Sequence, residues 1–206
     1  MSFTEKTLTA FTEELASKAP VPGGGGAAAL TAAVGVSLAD MVGELTVGKK
    51  TYADVEEEMR SCMEKAQELR RALLKQIDGD AEAFAPLAKA YGIPKEDPER
   101  DAVMEEALKT ACAVPMDIMR KCCEAIDLTE TFAAKGSKLA VSDAGCAAVG
   151  LKASLQAASL NVFINTKAMK DRAYAEELER EAERMLAEYE KKADAVYRTV
   201  TERIRG

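Results

Sequence analysis

The sequence predicts an all-α protein, a multi-helix bundle with long amphipathic helices around small-residue central helices. Three observations predict it. Apolar residues recur at intervals of three and four along nearly the whole chain. No run alternates as a half-buried strand would, and no internal repeat is present. Glycine and proline pairs such as Gly92 with Pro94 punctuate the periodic runs.

The elements follow in order. Phe3, Leu8, Phe11 and Leu15 place a first helix over residues 2–18. A second helix is expected from about Gly25 to Val47, stopping at Gly48. Val55, Met59, Cys62, Ala66, Leu69, Leu73 and Ile77 then mark an amphipathic helix that reaches Tyr91. Asp97-Pro98 reads as an N-cap followed by a first-turn proline, opening a fourth helix that Pro115 should kink and that stops near Gly136. Ser142 is the expected cap of a fifth helix reaching about Met169, and a sixth runs from about Asp171 to Arg205. The second and fifth helices carry small residues three or four apart: Gly35, Ala39 and Gly43, then Ala144, Ala148 and Ala157. Such helices approach closely, so they are expected at the centre, and the same surfaces suit a homodimer.

Composition bounds the function. The 206 residues are expected to form one domain over 1–206, with 48% apolar residues to build its core. Acidic residues outnumber basic ones, 35 to 28, for a net charge of −7, which argues against nucleic-acid binding. The longest strongly apolar stretch, Ala27–Ala39, is too short to span a bilayer, and no signal-peptide pattern opens the chain. A cytoplasmic protein without a membrane partner is the expectation. The 5 cysteines are odd in number and form no CxxC pair, so no disulfide framework is expected. With 0 histidines, Ser/His and Cys/His nucleophile pairs are excluded and a protein-held metal is not expected. Acid–base chemistry then falls to carboxylates, Lys, Tyr or Cys.

The segment APVPGGGGAAALTAAVGVSLADMVGELTVGKKTY, Ala19–Tyr52, is the strongest site signal. Gly23, Gly24, Gly25 and Gly26 run directly into a helix, so its free N–H groups can grip a carbonyl or an anion. The run is neither a P-loop, lacking the closing Lys-Ser/Thr, nor a dinucleotide fingerprint, since a helix precedes it. A plain loop before a helix is the ordinary alternative. Asp80 shares a face with Leu73, Ile77, Phe84 and Leu87, whereas Asp78 and Glu82 point elsewhere. A carboxylate on the inner face loses solvation, and its pKa rises toward neutrality, which suits general acid–base work. The structural alternative is a buried Asp tied to a helix N-terminus or a lysine. Lys49 and Lys50 suit an anionic ligand or simply a helix C-terminus. Asn161 and Asn165 lie four apart in an apolar run and need partners. Ser142 and Asp143 open the fifth helix as ordinary capping residues. Asp40 and Glu44 read as solvated or salt-bridged, and Cys122-Cys123 as packing.

Five ordered segments, PVPGGGG, VGELTVGKKTY, IDGDAEAF, SDAGCAA and LNVFIN, resemble the formimino-tetrahydrofolate cyclodeaminase / methenyl-tetrahydrofolate cyclohydrolase family over roughly residues 5–200. The resemblance implies an all-helical homodimer with a folate-binding cleft and no cofactor beyond the tetrahydrofolate substrate. It implies that Asp80 is the acid–base residue, with Asp143 in reserve. Gly23, Gly24, Gly25 and Ser142 would contact substrate, Lys49 and Lys50 would attract its glutamate tail, and Asn161 and Asn165 would hold the pterin. Three departures stand out. Gly26 occupies the usual hydroxyl position, Gly136-Ser137-Lys138-Leu139 replaces a Gly-Asn-x-Asn pattern, and Cys146 replaces a valine. The competing class is a non-catalytic helical dimer that binds folate or another small anion.

Overall fold

The computed structural model describes residues 2–206, and every regular element among them is helical. Helix α1 (Leu8–Leu15) is capped by Thr7, whose side chain accepts from the Ala10 N–H. Its one buried side chain, Phe11, meets the Phe3 ring edge-on at 6.2 Å. The expected helix over 2–18 is therefore divided, because Lys6 and Thr7 are extended between a 3-10 turn at Phe3–Glu5 and α1.

Helix α2 (Gly24–Glu44) pairs with α5 (Val141–Thr166) along its length. Their small residues set the separation: a Cβ on Gly150 would meet the Gly35 Cα at 3.9 Å. The Ser154 hydroxyl crosses the pair to donate to the Ala28 carbonyl at 2.7 Å. Helices α3 (Glu56–Tyr91) and α4 (Arg100–Lys135) form an antiparallel hairpin, fastened at its open end by Lys135 to Glu58 at 2.6 Å. Helix α6 (Arg172–Arg205) returns along α5, with Lys152 bonded to Asp194 at 2.7 Å. Between α2 and α3 a Thr46 hydroxyl donates to the Val42 carbonyl and accepts from the Ser137 N–H, tying the end of α2 to the α4–α5 junction.

Several boundaries move. Helix α2 ends at Glu44 rather than near Val47, and the chain turns through Gly48 at φ +76°. Helix α4 starts at Arg100; Asp97 instead accepts from the Glu99 N–H within the preceding turn. Pro115 does not divide α4, which is packed by α2, α3, α5 and α6, so tertiary contact holds the helix through the missing N–H. Ser142 is not a cap: a 3-10 turn at Lys138–Ala140 leads straight into α5, whose N-cap is Ala140. Asp171 does cap α6, accepting from the Tyr174 N–H at 3.1 Å.

Asp40 corrects another expectation. It is buried at 5% exposure, its Oδ1 has no hydrogen-bond partner, and Arg70 lies 3.8 Å from Oδ2. Burial pushes its pKa up, against the pull of Arg70. All five cysteines are free, and burial raises Cys112, Cys122 and Cys123 to about 12, which leaves those thiols inert.

Helices α2 and 138–166 are long and apolar enough to cross a membrane by length and composition. Here one side of each packs into the bundle. They are less central than expected, since their opposite side leaves Val34, Met41 and Leu45 of α2 and Val149, Leu160 and Ile164 of α5 exposed. The inward side is tightly fitted. A Cβ on Gly43 would lie 2.5 Å from Met63 Cγ and 2.8 Å from the buried Phe132 ring. Gly43→Val should therefore destabilise the fold by about 1–3 kcal/mol, read as a thermal midpoint lower by about 2–4 °C per kcal/mol. An unchanged midpoint would show that the α2–α3–α4 contact is slack.

Candidate functional site

The glycine run and Asp80 meet at one end of the bundle. Gly23 is the N-cap of α2 and supplies no side-chain bond. The open helix terminus is met instead by α3, where the Gly26 N–H donates to Asp80 Oδ2 at 2.9 Å. A Cβ on Gly25 would fall 2.1 Å from Asp80 Oδ1, so a side chain there would displace the carboxylate. A Cβ on Gly24 would stand 3.2 Å from both amide atoms of Asn161. The glycines thus let a carboxylate and an amide reach the backbone. The N–H group expected to grip a ligand anion is held by the chain's own Asp80.

Two opposing effects act on that carboxylate. Burial among α2, α3 and the cavity walls raises its pKa, and the Gly26 N–H draws it back down; burial is the larger. Asp80 remains partly open to a cavity of about 220 Å³, bounded by Pro20, Phe84, Pro115 and Ile164 as well as Asn161 and Asn165. Each Asn amide nitrogen donates into its own helix, Asn161 to the Ala157 carbonyl at 2.8 Å and Asn165 to the Asn161 carbonyl at 3.0 Å. Neither amide oxygen has a protein donor among the described residues. The site therefore holds a carboxylate that can take or give a proton beside two amide acceptors.

Sequence reasoning missed Phe84, Ile164, Ala111 and Pro115 as walls. A signal was available for the last two. Pro115 has no N–H to give the Ala111 carbonyl one turn back, so a proline inside a helix marks a freed acceptor, and both residues line this cavity. Asp78 does point away, bonding the Ser2 hydroxyl and the Phe3 N–H.

Lys49, Lys50, Ser142 and Asp143 are not brought to this cavity within the chain. The rise of α5 from Asp143 to Asn161 is about 27 Å, and α2 places a similar length between Gly24 and the lysines. They gather at the opposite end with Tyr52, whose hydroxyl accepts from the Lys138 N–H at 3.1 Å. That N–H, with Lys138 and Lys49 nearby, pulls the Tyr52 pKa down. Of the departures from the family pattern, Gly26 leaves ordinary room for a side chain, its nearest neighbours being Ile77 O at 3.5 Å and Pro22 Cβ at 3.7 Å. Gly136, which keeps the first position of the Gly-Asn-x-Asn pattern, has no such room, since a Cβ would lie 2.5 Å from the Phe132 carbonyl.

The chain is similar to known proteins over nearly its whole length. The family model described as Formiminotransferase-cyclodeaminase matches residues 7–184. A methenyltetrahydrofolate cyclohydrolase of Methylorubrum extorquens is 45% identical over 97% of this chain and 98% of its own length. The formimidoyltransferase-cyclodeaminase of Rattus norvegicus is 31% identical over 95% of this chain, which spans 37% of that longer protein. The crystal structure of formiminotetrahydrofolate cyclodeaminase from Thermotoga maritima superposes with a TM-score of 0.83 at 33% identity, over 98% of this chain and 97% of that one. The chain therefore belongs to the formiminotransferase-cyclodeaminase family.

Proposed function

We propose that this protein is a folate one-carbon enzyme acting on the 5,10-methenyl bridge of tetrahydrofolate, and that it opens the bridge by hydrolysis to 10-formyl-tetrahydrofolate. The observation that carries the acid–base assignment is the half-buried Asp80, held by a backbone N–H and raised in pKa beside two amide acceptors. The full-length likeness to a methenyltetrahydrofolate cyclohydrolase favours the hydrolytic direction.

In that direction the Asp80 carboxylate takes a proton from water as the new C–O bond forms at the cationic methenyl carbon. The carbinol then collapses to the formyl group, and the bond from carbon to N5 breaks. Asp80 returns its proton to N5, and the carbinol proton leaves to solvent. One group must accept and then donate, which a carboxylate of raised pKa does near neutrality. Asn161 and Asn165 present amide oxygens to the N–H groups of the pterin.

The likeness to the Thermotoga cyclodeaminase supports a second reaction. There N10 attacks the carbon of the protonated formimino group (–CH=NH2+) and loses its proton, the departing nitrogen gains one, and ammonia leaves with the methenyl cation formed. We also propose a homodimer, supported by the apolar side chains left open on α2 and α5.

Supplying each substrate separately decides between the readings. Loss of near-ultraviolet methenyl absorbance marks hydrolysis, its appearance with ammonia marks deamination, and tight binding with neither marks a non-catalytic folate binder. Asp80→Asn should lower turnover by about 10²–10⁴-fold while the protein stays folded; retained turnover would remove Asp80 from the chemistry. The same variant has a stability signature. Because the folded pKa lies above the ordinary 3.8, the folded state holds the Asp80 proton more tightly, so wild-type stability falls as pH rises through that interval. Asp80→Asn escapes this loss, and its thermal midpoint should exceed wild type at neutral pH, the margin closing as pH falls toward 4. A deficit at neutral pH would mean that the ionised carboxylate stabilises the α2 terminus.

A further inference from the structure

We propose that the main-chain carbonyl of Ala111, set free by Pro115, holds the attacking water beside Asp80, which makes Pro115 a positioning residue for the reaction. The proposal rests on the hydrolytic folate reading above and adds what orients the nucleophile.

The first observation is an acceptor without its helical donor. Inside an α-helix the Ala111 carbonyl would take its hydrogen bond from the N–H of residue 115, and proline has none. No N–H from outside the helix donates to it among the described residues. The neighbouring side chains point their donors elsewhere, Thr110 to the Glu106 carbonyl at 2.9 Å and Cys112 to the Val162 carbonyl at 3.8 Å. Ala111 is buried, and a buried carbonyl left without a donor is destabilising, so its partner belongs in the space it borders. That space is the Asp80 cavity, which Ala111 and Pro115 both line.

The second observation is placement. Gln76 of α3 bonds Asp117 of α4, and Cys112 of α4 reaches the Val162 carbonyl of α5. These contacts fix the register of the three helices. The turn from Ala111 to Pro115 therefore lies between Asp80 and Phe84 on one side and Asn161 and Asn165 on the other. A cavity of about 220 Å³ keeps these walls so near that one small molecule touches several of them.

The third observation is what the polar walls offer. The cavity is lined by no lysine or arginine, and its polar side chains present the Asp80 carboxylate and the amide oxygens of Asn161 and Asn165. The amides are assigned to the pterin above; the Ala111 carbonyl has no such task. A water about to attack a cation has two hydrogens to place and one lone pair to aim. Asp80 takes one hydrogen as the C–O bond forms. The Ala111 carbonyl accepts the other, which turns the lone pair toward the methenyl carbon. It then holds the carbinol O–H until that proton leaves to solvent, while Asp80 passes its own proton to N5. The carbonyl itself neither gains nor loses a proton. Proline is the least favourable residue inside a helix, and here it places an acceptor at the reacting centre.

Two variants and one label test this. Pro115→Ala and Pro115→Val both return an N–H to α4, and the valine also restores bulk in place of the ring. Each should lower kcat for 5,10-methenyl-tetrahydrofolate by about 10–100-fold, with KM within about twofold of wild type and a thermal midpoint no lower. A raised KM at unchanged kcat would make the carbonyl a pterin contact. Full kcat in Pro115→Val would make the bulk of the ring the feature that matters. Either result overturns the proposal, as does a loss of kcat confined to a variant whose midpoint falls. A readout without turnover uses Ala111-Cys112, the one Ala-Cys step in the sequence. Alanine labelled with carbon-13 at the carbonyl, together with nitrogen-15 cysteine, gives a single amide correlation that carries the Ala111 carbonyl shift. Pro115→Ala should move that shift, as an N–H replaces water at the oxygen. An unmoved shift would mean that the carbonyl already has a protein donor, and the proposal fails even in an active enzyme. A moved shift in a protein whose wild type leaves methenyl absorbance untouched would refute the folate reading, and with it the role of the water, while the freed carbonyl stands.

Discussion

The contact between Asp80 and the first turn of α2 is the constraint on which the site depends. A helix start offers N–H groups and a partial positive charge, and here a carboxylate from another helix meets them. It gets close because Gly25 has no Cβ to stand in its way. The same closeness removes water, and burial outweighs the hydrogen bond in setting the proton affinity. One interaction therefore joins α2 to α3, orients the carboxylate and raises its pKa. Asn161 reaches the same terminus because Gly24 is small too.

Small residues perform two tasks in this bundle. Inward, Gly35 and Gly43 let Leu151, Met63 and Phe132 pack against the α2 backbone. Outward, the α2–α5 pair presents apolar side chains that the chain itself does not cover. That face runs from the Asp80 end of the bundle toward the lysine end. One small-residue composition thus sets the close inward packing and leaves an apolar face outward.

Much of this was legible in the sequence, for identifiable reasons. Helix identity followed from apolar periodicity, and the inner placement of Asp80 followed from counting along α3 with Leu73 and Ile77. A helix N-terminus stood among the alternatives for Asp80, and the Gly26 N–H bears that out, but which terminus it meets was not legible, because residues 54 apart meet only through tertiary packing. Local rules also misplaced several ends. Ser142 is a good capping residue by type, yet the 3-10 turn before it starts the helix early. Pro115 is a helix breaker by type, yet four neighbouring helices hold α4 intact. Asp40 read as solvated because it forms an acidic pair with the exposed Glu44 one turn on, while its own side chain faces Arg70 of α3. The lysines read as neighbours of the glycines only because a motif compresses a helix of 21 residues into a line of text.

The central claim is that burial gives Asp80 a proton affinity above that of an ordinary carboxylate while a backbone N–H holds it in place. Carbon-13 labelling of the aspartate side chains, with Asp80→Asn as the assignment reference, allows its titration to be followed directly by magnetic resonance. The account predicts a midpoint displaced upward from 3.8. A midpoint at or below that value would contradict it, and would make Asp80 a helix-terminal anchor rather than the proton carrier.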